Sequence, residues 1–128
     1  MMRDEQYPKM QNDFWSTLDQ LVATCQWCVD RPKGTAHPRY PSFVYPIDYG
    51  YLADTRSPDG NGIDIWVGSL PDKKVNAVVC TVDMVKRDSE IKLLLGCTPQ
   101  EAIAILGVHN SGSQSAMLIE RPAKGEKT

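Results

Sequence analysis

The order of the predicted elements indicates an α+β domain built around a small β-barrel or a strongly curled sheet. Helical periodicity lies near both ends of the chain, and mostly antiparallel strands fill the region between the two helices. The chain has 128 residues, of which 41% are hydrophobic, and this suffices to fill one core. Because no repeat or linker divides the sequence, we expect residues 1–128 to form a single domain.

The N-terminal helix follows residues 1–11, which we interpret as a loose arm. Asn12 and Asp13 suit a helix N-terminus, since their side chains accept hydrogen bonds from free backbone N–H groups. Apolar residues then recur at helical spacing, at Phe14, Leu18, Leu21, Val22 and Cys25. This pattern predicts an amphipathic helix of about three turns with a structural role.

Two strands are predicted before the acidic region of the chain. The first begins at Trp27 and ends at residues 30–34, a charged segment that contains Pro and Gly. Residues 35–46 hold three prolines, which favour an extended edge segment over a central strand. Alternating aromatic and aliphatic residues begin at Phe43, and the second strand continues to Leu52.

Two further strands and a hairpin follow the acidic loop. The strand after residues 57–62 has one face with Ile63, Ile65 and Val67 and another with Asp64 and Trp66. A β-branched run at residues 75–85 predicts a long strand, and residues 86–89 predict the hairpin turn. The return strand has one face with Ile91, Leu93 and Leu95 and another with Glu90, Lys92 and Leu94.

The second helix has a complete start signal. Thr98 suits the N-cap, Pro99 the first helical position, and Glu101 the third position of a capping box. The helix is predicted to reach about His109, with a buried side formed by Ala102, Ile105 and Leu106. A Ser/Gly loop leads to a last strand at residues 116–120 and a charged tail at residues 121–128.

The charge balance disfavours general binding to nucleic acid. The chain has 14 basic and 16 acidic residues and a formal net charge of −2, so phosphate backbones are not attracted overall. An oligonucleotide-binding module is disfavoured also because a stripe of basic and aromatic residues is lacking. The charged N-terminus and the lack of a long apolar run predict a cytoplasmic protein without a membrane partner.

The four cysteines allow three interpretations: disulfides, a metal site or buried thiols. The lack of a secretory signal disfavours disulfides. Cys25 and Cys28 have zinc-like spacing, but Cys80 and Cys97 are not a second close pair and no His lies nearby. We therefore favour small buried thiols.

Acidic residues concentrate at residues 45–68, which contain Asp48, Asp54, Asp59 and Asp64. These acids either keep a loop solvated or supply oxygen ligands to a hard cation such as Mg²⁺. Alternation along the strands places Asp64, Glu90 and Lys92 on non-core faces, while Asp59 lies in a glycine-rich turn. A divalent cation suits carboxylates gathered in this way, because it offsets their mutual repulsion.

Basic and aromatic residues around these acids favour phosphate chemistry. Residues suited to hold an anion beside a metal are Lys33, Arg39, Arg56, Arg87 and Lys92, with Tyr49 as a hydrogen-bond donor. A metal, cations and an oxygen-rich anion together indicate phosphoryl transfer to water. His37 and His109 are isolated in the sequence, and we interpret them as surface or packing residues.

Two motifs in the acidic region resemble those of the soluble family I inorganic pyrophosphatases. Residues 45–51, YPIDYGY, are similar to the family motif Tyr-Pro-x-Asn-Tyr-Gly-Tyr/Phe. Residues 59–65, DGNGIDI, are similar to Asp-Gly-Asp-Pro-hydrophobic-Asp-hydrophobic. Supporting matches flank these motifs at residues 30–40 and 90–93, in the family order, so the resemblance covers residues 29–96.

The resemblance implies a fold, a cofactor and a set of site residues. The fold is a five-stranded OB-like barrel, to which the two predicted helices are added, and the family suggests a homo-oligomer. Implied Mg²⁺ ligands are Asp59, Asp64 and Glu90, with Asp30 as a supporting acid and Asp83 or Asp88 matching only with a gap. Implied catalytic residues are Tyr49, Asp59, Asn61, Asp64 and Lys92, and implied substrate contacts are Lys33, Arg39, Tyr49 and Lys92.

The sequence also departs from the family pattern. Asn61 stands where the family uses an Asp to accept a proton from water, and an amide cannot act as a base. Asp48 stands where Asn is usual, a hairpin with a phosphate-binding Arg is missing between Tyr40 and Tyr45, and a C-terminal Tyr-Lys pair is absent. Despite these departures, the resemblance leads us to expect a Mg²⁺-dependent diphosphatase that acts on pyrophosphate or a related small diphosphate. The alternative is an impaired homologue that binds a metal–phosphate ligand without efficient turnover.

Overall fold

The computed structural model describes residues 12–123, and this part of the chain contains two helices and six strands. In chain order these are α1 (Asn12–Thr24), β1 (Trp27–Arg31), β2 (Asp48–Leu52), β3 (Ile63–Val67), β4 (Val75–Asp83), β5 (Asp88–Leu95), α2 (Pro99–Val108) and β6 (Gln114–Glu120). The predicted arm, residues 1–11, and residues 124–128 of the predicted tail lie outside the described residues. The α+β class and the order of the elements are confirmed.

The six strands form one mixed sheet in the order β1-β2-β3-β5-β4-β6. Neighbouring strands are antiparallel, except that β3 and β5 pair in parallel. The sheet is open, because β1 and β6 form its two edges and do not pair with each other in the described chain. The closed five-stranded barrel is therefore not confirmed. Closure depends on pairing between distant edge strands, which alternation along a single strand does not specify.

One face of the sheet is covered by α1. The buried core on this side consists of Trp15, Val22, Leu52, Ile65, Val75, Val78, Leu93 and Leu95. The predicted helix is confirmed. At its start, however, Trp15 is the buried residue, whereas the predicted core residue Phe14 is 43% exposed. Asp19 anchors the helix, since its carboxylate accepts a hydrogen bond from the Val75 N–H and pairs with Arg121 at 2.8 Å.

The opposite face of the sheet packs against α2 and the segment before β2. Its core consists of Tyr45, Ile47, Trp66, Ala77, Val79, Leu94, Cys97, Ala102 and Ile105. Asp64 and Lys92 lie on this face beside Trp66 and Leu94, so their predicted location on a non-core face is wrong. Alternation separates residues into two faces, but it does not determine that the second face is exposed to solvent.

The capping box predicted at the start of α2 is confirmed. Thr98 Oγ1 accepts a hydrogen bond from the Glu101 N–H at 3.1 Å, and Glu101 Oε1 accepts one from the Thr98 N–H at 2.8 Å. The same Glu101 oxygen accepts a hydrogen bond from the Ser69 N–H at 3.1 Å, which ties α2 to the end of β3. Neither described helix has the length and hydropathy needed to cross a membrane.

The four cysteines are free thiols of differing burial. Cys97 is fully buried in the core, and this burial raises its pKa to about 12. Cys25, Cys28 and Cys80 are partly buried. The interpretation as buried thiols holds in full for Cys97 and in part for the other three.

Candidate functional site

A cavity of about 1540 Å³ opens on the face of the sheet that carries α2. Its floor is formed by β2, β3 and β5, and its walls by the chain before β2, the loop before β3 and the loop after α2. The predicted site residues that line it are Asp30, Arg39, Tyr49, Asp59, Asn61, Asp64, Asp83, Glu90 and Lys92. Lys33 and Asp88 do not line it. The fold thus gathers most of the predicted site residues around one space.

Lys92 lies at the centre of the floor and is only 6% exposed. Its Nζ donates hydrogen bonds to Asp64 Oδ2 at 2.6 Å, to the Tyr49 hydroxyl at 3.0 Å and to Glu90 Oε2 at 3.2 Å. The strand register explains this grouping. Glu90 and Lys92 are two residues apart on β5, the parallel pairing of β3 with β5 brings Asp64 beside Lys92, and Tyr49 on β2 lies opposite Trp66 of β3.

The floor keeps its positive charge on Lys92. Burial penalises the ammonium, but the contacts with Tyr49 and Asp64 outweigh this penalty, so the pKa of Lys92 is raised. Burial also raises the pKa of Tyr49, which keeps its hydroxyl protonated at neutral pH. One ammonium therefore serves two carboxylates, those of Asp64 and Glu90, which leaves excess negative charge on the floor.

The floor fits a divalent cation, because one of its carboxylate oxygens lacks a partner. Glu90 Oε1 is buried and has no hydrogen-bond partner among residues 12–123. A buried polar atom without a partner costs free energy, and a hard cation binds carboxylate oxygen well. Asp64 contacts the same ammonium as Glu90, so these two residues are the best placed to hold Mg²⁺.

The third predicted ligand, Asp59, lies at the rim of the cavity and bonds within its own loop. Its Oδ1 accepts hydrogen bonds from Ser57 Oγ and from the Asn61 N–H, the latter at 3.0 Å. These hydrogen bonds, led by the one from Ser57, lower the pKa of Asp59. Within residues 12–123 no three His, Cys, Asp or Glu side chains are already grouped around a metal position. Asp59 thus shares the cavity with Asp64 and Glu90 without joining them.

Several other candidates have structural contacts. The Asp83 carboxylate accepts hydrogen bonds from two backbone N–H groups of the turn after β4, at 2.9 and 3.1 Å, and from Ser113 Oγ at 2.9 Å. Asp48 Oδ1 accepts a hydrogen bond from the Lys33 N–H at 2.8 Å, which connects the chain after β1 to β2. Arg56 lines a second, smaller groove on the side of the sheet that carries α1.

His109 lines the cavity although the sequence indicated only a surface or packing residue. It is buried, and its Nε2 accepts a hydrogen bond from Trp66 Nε1 at 3.1 Å. Since Nε2 accepts, the proton lies on Nδ1, which donates to Gln114 Oε1 at 3.0 Å. Burial lowers the pKa of His109 to about 4, so the ring is neutral at pH 7. The sequence contains no signal for this contact, because Trp66 and His109 are 43 residues apart.

Aromatic rings line the cavity wall from the floor to the entrance. Tyr49 stacks on Tyr45 with 5.6 Å between ring centroids, and Tyr45 stacks on His37 at 6.2 Å. His37 then contacts Tyr40 at 5.1 Å, and Phe43 meets Tyr45 edge to face at 4.8 Å. The sequence shows a density of aromatic residues and prolines here, but the wall forms only when the segment folds back on itself.

No protein-family model matches the chain, and a search of curated proteins finds no match either. The resemblance to the family I inorganic pyrophosphatases therefore stays a prediction based on the motifs, and the cavity provides the structural basis for a functional proposal.

Proposed function

We propose that this chain is a Mg²⁺-dependent hydrolase of inorganic pyrophosphate or a related small diphosphate. The main support is the buried ammonium of Lys92, which lies between Asp64 and Glu90 on the floor of an open cavity. Such a group suits a metal–phosphate ligand, because a cation bound by the carboxylates would free N–H donors of the ammonium for phosphate oxygens. The motif resemblance supports the same reaction.

In this proposal, Asp64 and Glu90 would hold the cation, and Asp59 at the rim would supply a third carboxylate. When bound, the cation neutralises charge on the diphosphate and makes water more acidic. Lys92 and the Tyr49 hydroxyl bind oxygens of the phosphate at the floor. These two residues are already oriented by their hydrogen bond, which limits the entropy lost when the ligand binds.

Hydrolysis forms one bond to phosphorus and breaks another. The oxygen of a water molecule bonds to one phosphorus, the bond from that phosphorus to the bridging oxygen breaks, and pyrophosphate gives two phosphate ions. Lys92 and Arg39 offset the negative charge that develops on the leaving phosphate. One proton of the water passes to the leaving phosphate, because the Asn61 amide at the rim cannot accept it.

A binding protein with slow turnover is the second candidate, and Asn61 is the observation that favours it. The position matches the proton acceptor of the family motif, but an amide has no basic site. The neighbouring Asp59 carboxylate is engaged by Ser57 and by the Asn61 backbone. Both features reduce the capacity of the rim to remove a proton, while the floor keeps its capacity to bind a diphosphate.

Release of phosphate from pyrophosphate is the direct test of the hydrolase. The wild-type protein is expected to release phosphate only when Mg²⁺ is present. Asp64→Asn removes a charge from the floor and is expected to lower the rate by roughly a hundredfold or more. Asp54→Asn is a matched control, because Asp54 is exposed, lies outside the cavity and has φ of 60°, which Asn tolerates. Undiminished activity of Asp64→Asn contradicts the proposal.

Calorimetry with Mg²⁺ and pyrophosphate distinguishes the hydrolase from the binding protein. Tight binding without phosphate release favours the binding protein. Asn61→Asp is then expected to raise phosphate release by roughly a hundredfold, the scale of general-base catalysis. If the wild-type protein neither binds pyrophosphate nor releases phosphate from it, both candidates are contradicted.

A further inference from the structure

The cavity is larger and more aromatic than a bare diphosphate requires. Sites for drug-sized ligands typically measure roughly 300–1,000 Å³, and this cavity measures about 1540 Å³. Pyrophosphate is much smaller than such ligands and has no planar group to stack on a ring. The roles assigned to the floor residues leave the outer wall, formed by His37, Tyr40 and Phe43, without a function.

The outer wall is held in shape by its own hydrogen bonds. The His37 N–H donates to the Phe43 carbonyl at 2.9 Å, and the Phe43 N–H donates to the Tyr40 carbonyl at 2.9 Å. His37 Nδ1 accepts hydrogen bonds from the backbone N–H groups of Arg39 and Tyr40, at 3.0 and 3.2 Å. Two prolines within this segment further restrict the backbone. The segment is therefore ordered before any ligand binds.

Tyr40 is the exposed end of this ordered segment. Tyr40 lines the cavity and is 60% exposed as a residue, so most of its surface is open to a ligand. The Tyr40 ring contacts His37, the outermost of the stacked rings. Core packing therefore does not explain the position of the Tyr40 ring. A rigid aromatic side chain with a free surface loses little entropy on binding and suits stacking.

The aromatic wall is continuous with the phosphate-binding floor. Tyr49 belongs to both, because its hydroxyl accepts a hydrogen bond from Lys92 and its ring stacks on Tyr45. From Tyr45 the rings lead through His37 to Tyr40 at the entrance. A ligand with its phosphate end at the floor can therefore extend along the wall.

On the basis of the proposed hydrolase function, we propose that the ligand is a diphosphate ester whose far end is a planar aromatic group, as in a nucleoside diphosphate. The diphosphate binds Lys92 and Tyr49 at the floor. The planar group stacks on the exposed ring of Tyr40, and the neighbouring Arg39 lies on the same cavity wall.

The test compares the binding of ADP, methyl diphosphate and pyrophosphate by calorimetry, each with Mg²⁺. Methyl diphosphate is an ester without a ring, so its comparison with ADP isolates the planar group. Stacking of one base on an aromatic side chain predicts a preference for ADP of roughly tenfold. Tyr40→Ala is expected to remove this preference, and Tyr40→Phe, which keeps the ring, is expected to retain it.

Val44→Ala provides the control for a change in the same segment. Val44 is 52% exposed and does not line the cavity, so this variant is expected to keep the full preference for ADP. Equal affinity of the wild-type protein for ADP and methyl diphosphate overturns the inference, and so does a preference that survives in Tyr40→Ala. In both cases binding and turnover of pyrophosphate still support the hydrolase. Failure of all three ligands to bind overturns the hydrolase as well.

Discussion

The floor and the rim of the cavity both carry carboxylates, but they hold them in different ways. On the floor, Asp64 and Glu90 extend from strands and share the buried ammonium of Lys92. On the rim, Asp59 is exposed and bonds to its own loop. The hydrogen-bond partners differ in sequence distance, since Asp64 and Lys92 are 28 residues apart, whereas Asp59 and Asn61 are two apart. The floor depends on the sheet, and the rim depends on a local turn.

This difference indicates how the two regions respond to a ligand. The floor is rigid, because each of its groups is attached to a strand with neighbours on both sides. At the rim, water can replace the hydrogen bonds that hold the Asp59 carboxylate, so this carboxylate can rotate at a small cost in free energy. We therefore expect the floor to be organised before binding and Asp59 to join it only when a cation is bound.

The largest expected effect comes from Lys92→Met, which breaks the floor. The substitution leaves two carboxylates without their shared cation in a buried position, which typically costs about 3–5 kcal/mol of stability. Denaturant unfolding at pH 7 measures this loss. Lys86→Met is the matched control, because Lys86 lines the same cavity but is exposed, and its expected change is within about 0.5 kcal/mol. Equal losses for the two variants would contradict the distinction between floor and rim.

The second effect concerns His109, which is buried beside the floor through its bond with Trp66. Its pKa falls from 6.5 in the unfolded chain to about 4 in the folded protein. The unfolded chain therefore binds more protons between these values, and stability is lost as the pH falls from about 6.5 to about 4. The contribution is about 3 kcal/mol, at 1.36 kcal/mol for each pKa unit.

His109→Gln removes this titrating group. The free energy of unfolding of the variant is expected to change less between pH 7 and pH 4 than that of the wild type, by about 3 kcal/mol. Denaturant unfolding at the two pH values measures this change. A destabilisation that is equal at both pH values cancels when the two unfolding free energies are subtracted. An unchanged pH dependence would show that the folded protein does not depress the pKa of His109.

The smallest expected effect comes from Asp59→Ala at the rim. The hydrogen bonds that it removes are exposed and local, so the loss of stability is expected to stay below about 1 kcal/mol. Mg²⁺-dependent phosphate release is expected to fall much more than stability does, because Asp59 acts on the bound cation in the proposed function. A stability loss as large as that of Lys92→Met would place Asp59 among the structural residues of the floor.

Much of the fold was predictable because its signals are local. The capping box of α2 depends on residues three apart, and the start of α1 depends on helical spacing over a few turns. The buried face of α1 was less predictable, since Phe14 and Trp15 are adjacent and both apolar. Only packing against the sheet selects which of the two rings is buried.

The candidate site was predictable as a set of residues but not as an arrangement. Alternation placed Asp64, Glu90 and Lys92 together on strand faces, the glycine-rich turn supplied Asp59, and the motif resemblance implied their roles. None of these signals showed that Lys33 lies outside the cavity. The arrangement of the site residues depends on which strands are neighbours, and strand order has no local signal.

By itself, the sequence determined the order of the helices and strands, which residues share a strand face and where the acids concentrate. It placed the start of the second strand at Phe43, whereas β2 begins at Asp48. The tertiary structure alone decided that β3 and β5 pair in parallel and that the sheet stays open. It placed Lys92 Nζ 2.6 Å from Asp64 Oδ2. It also decided the buried contact of Trp66 with His109. Helix caps and alternation arise from interactions between near neighbours in the chain, whereas strand order and buried hydrogen bonds depend on the free energy of the whole core.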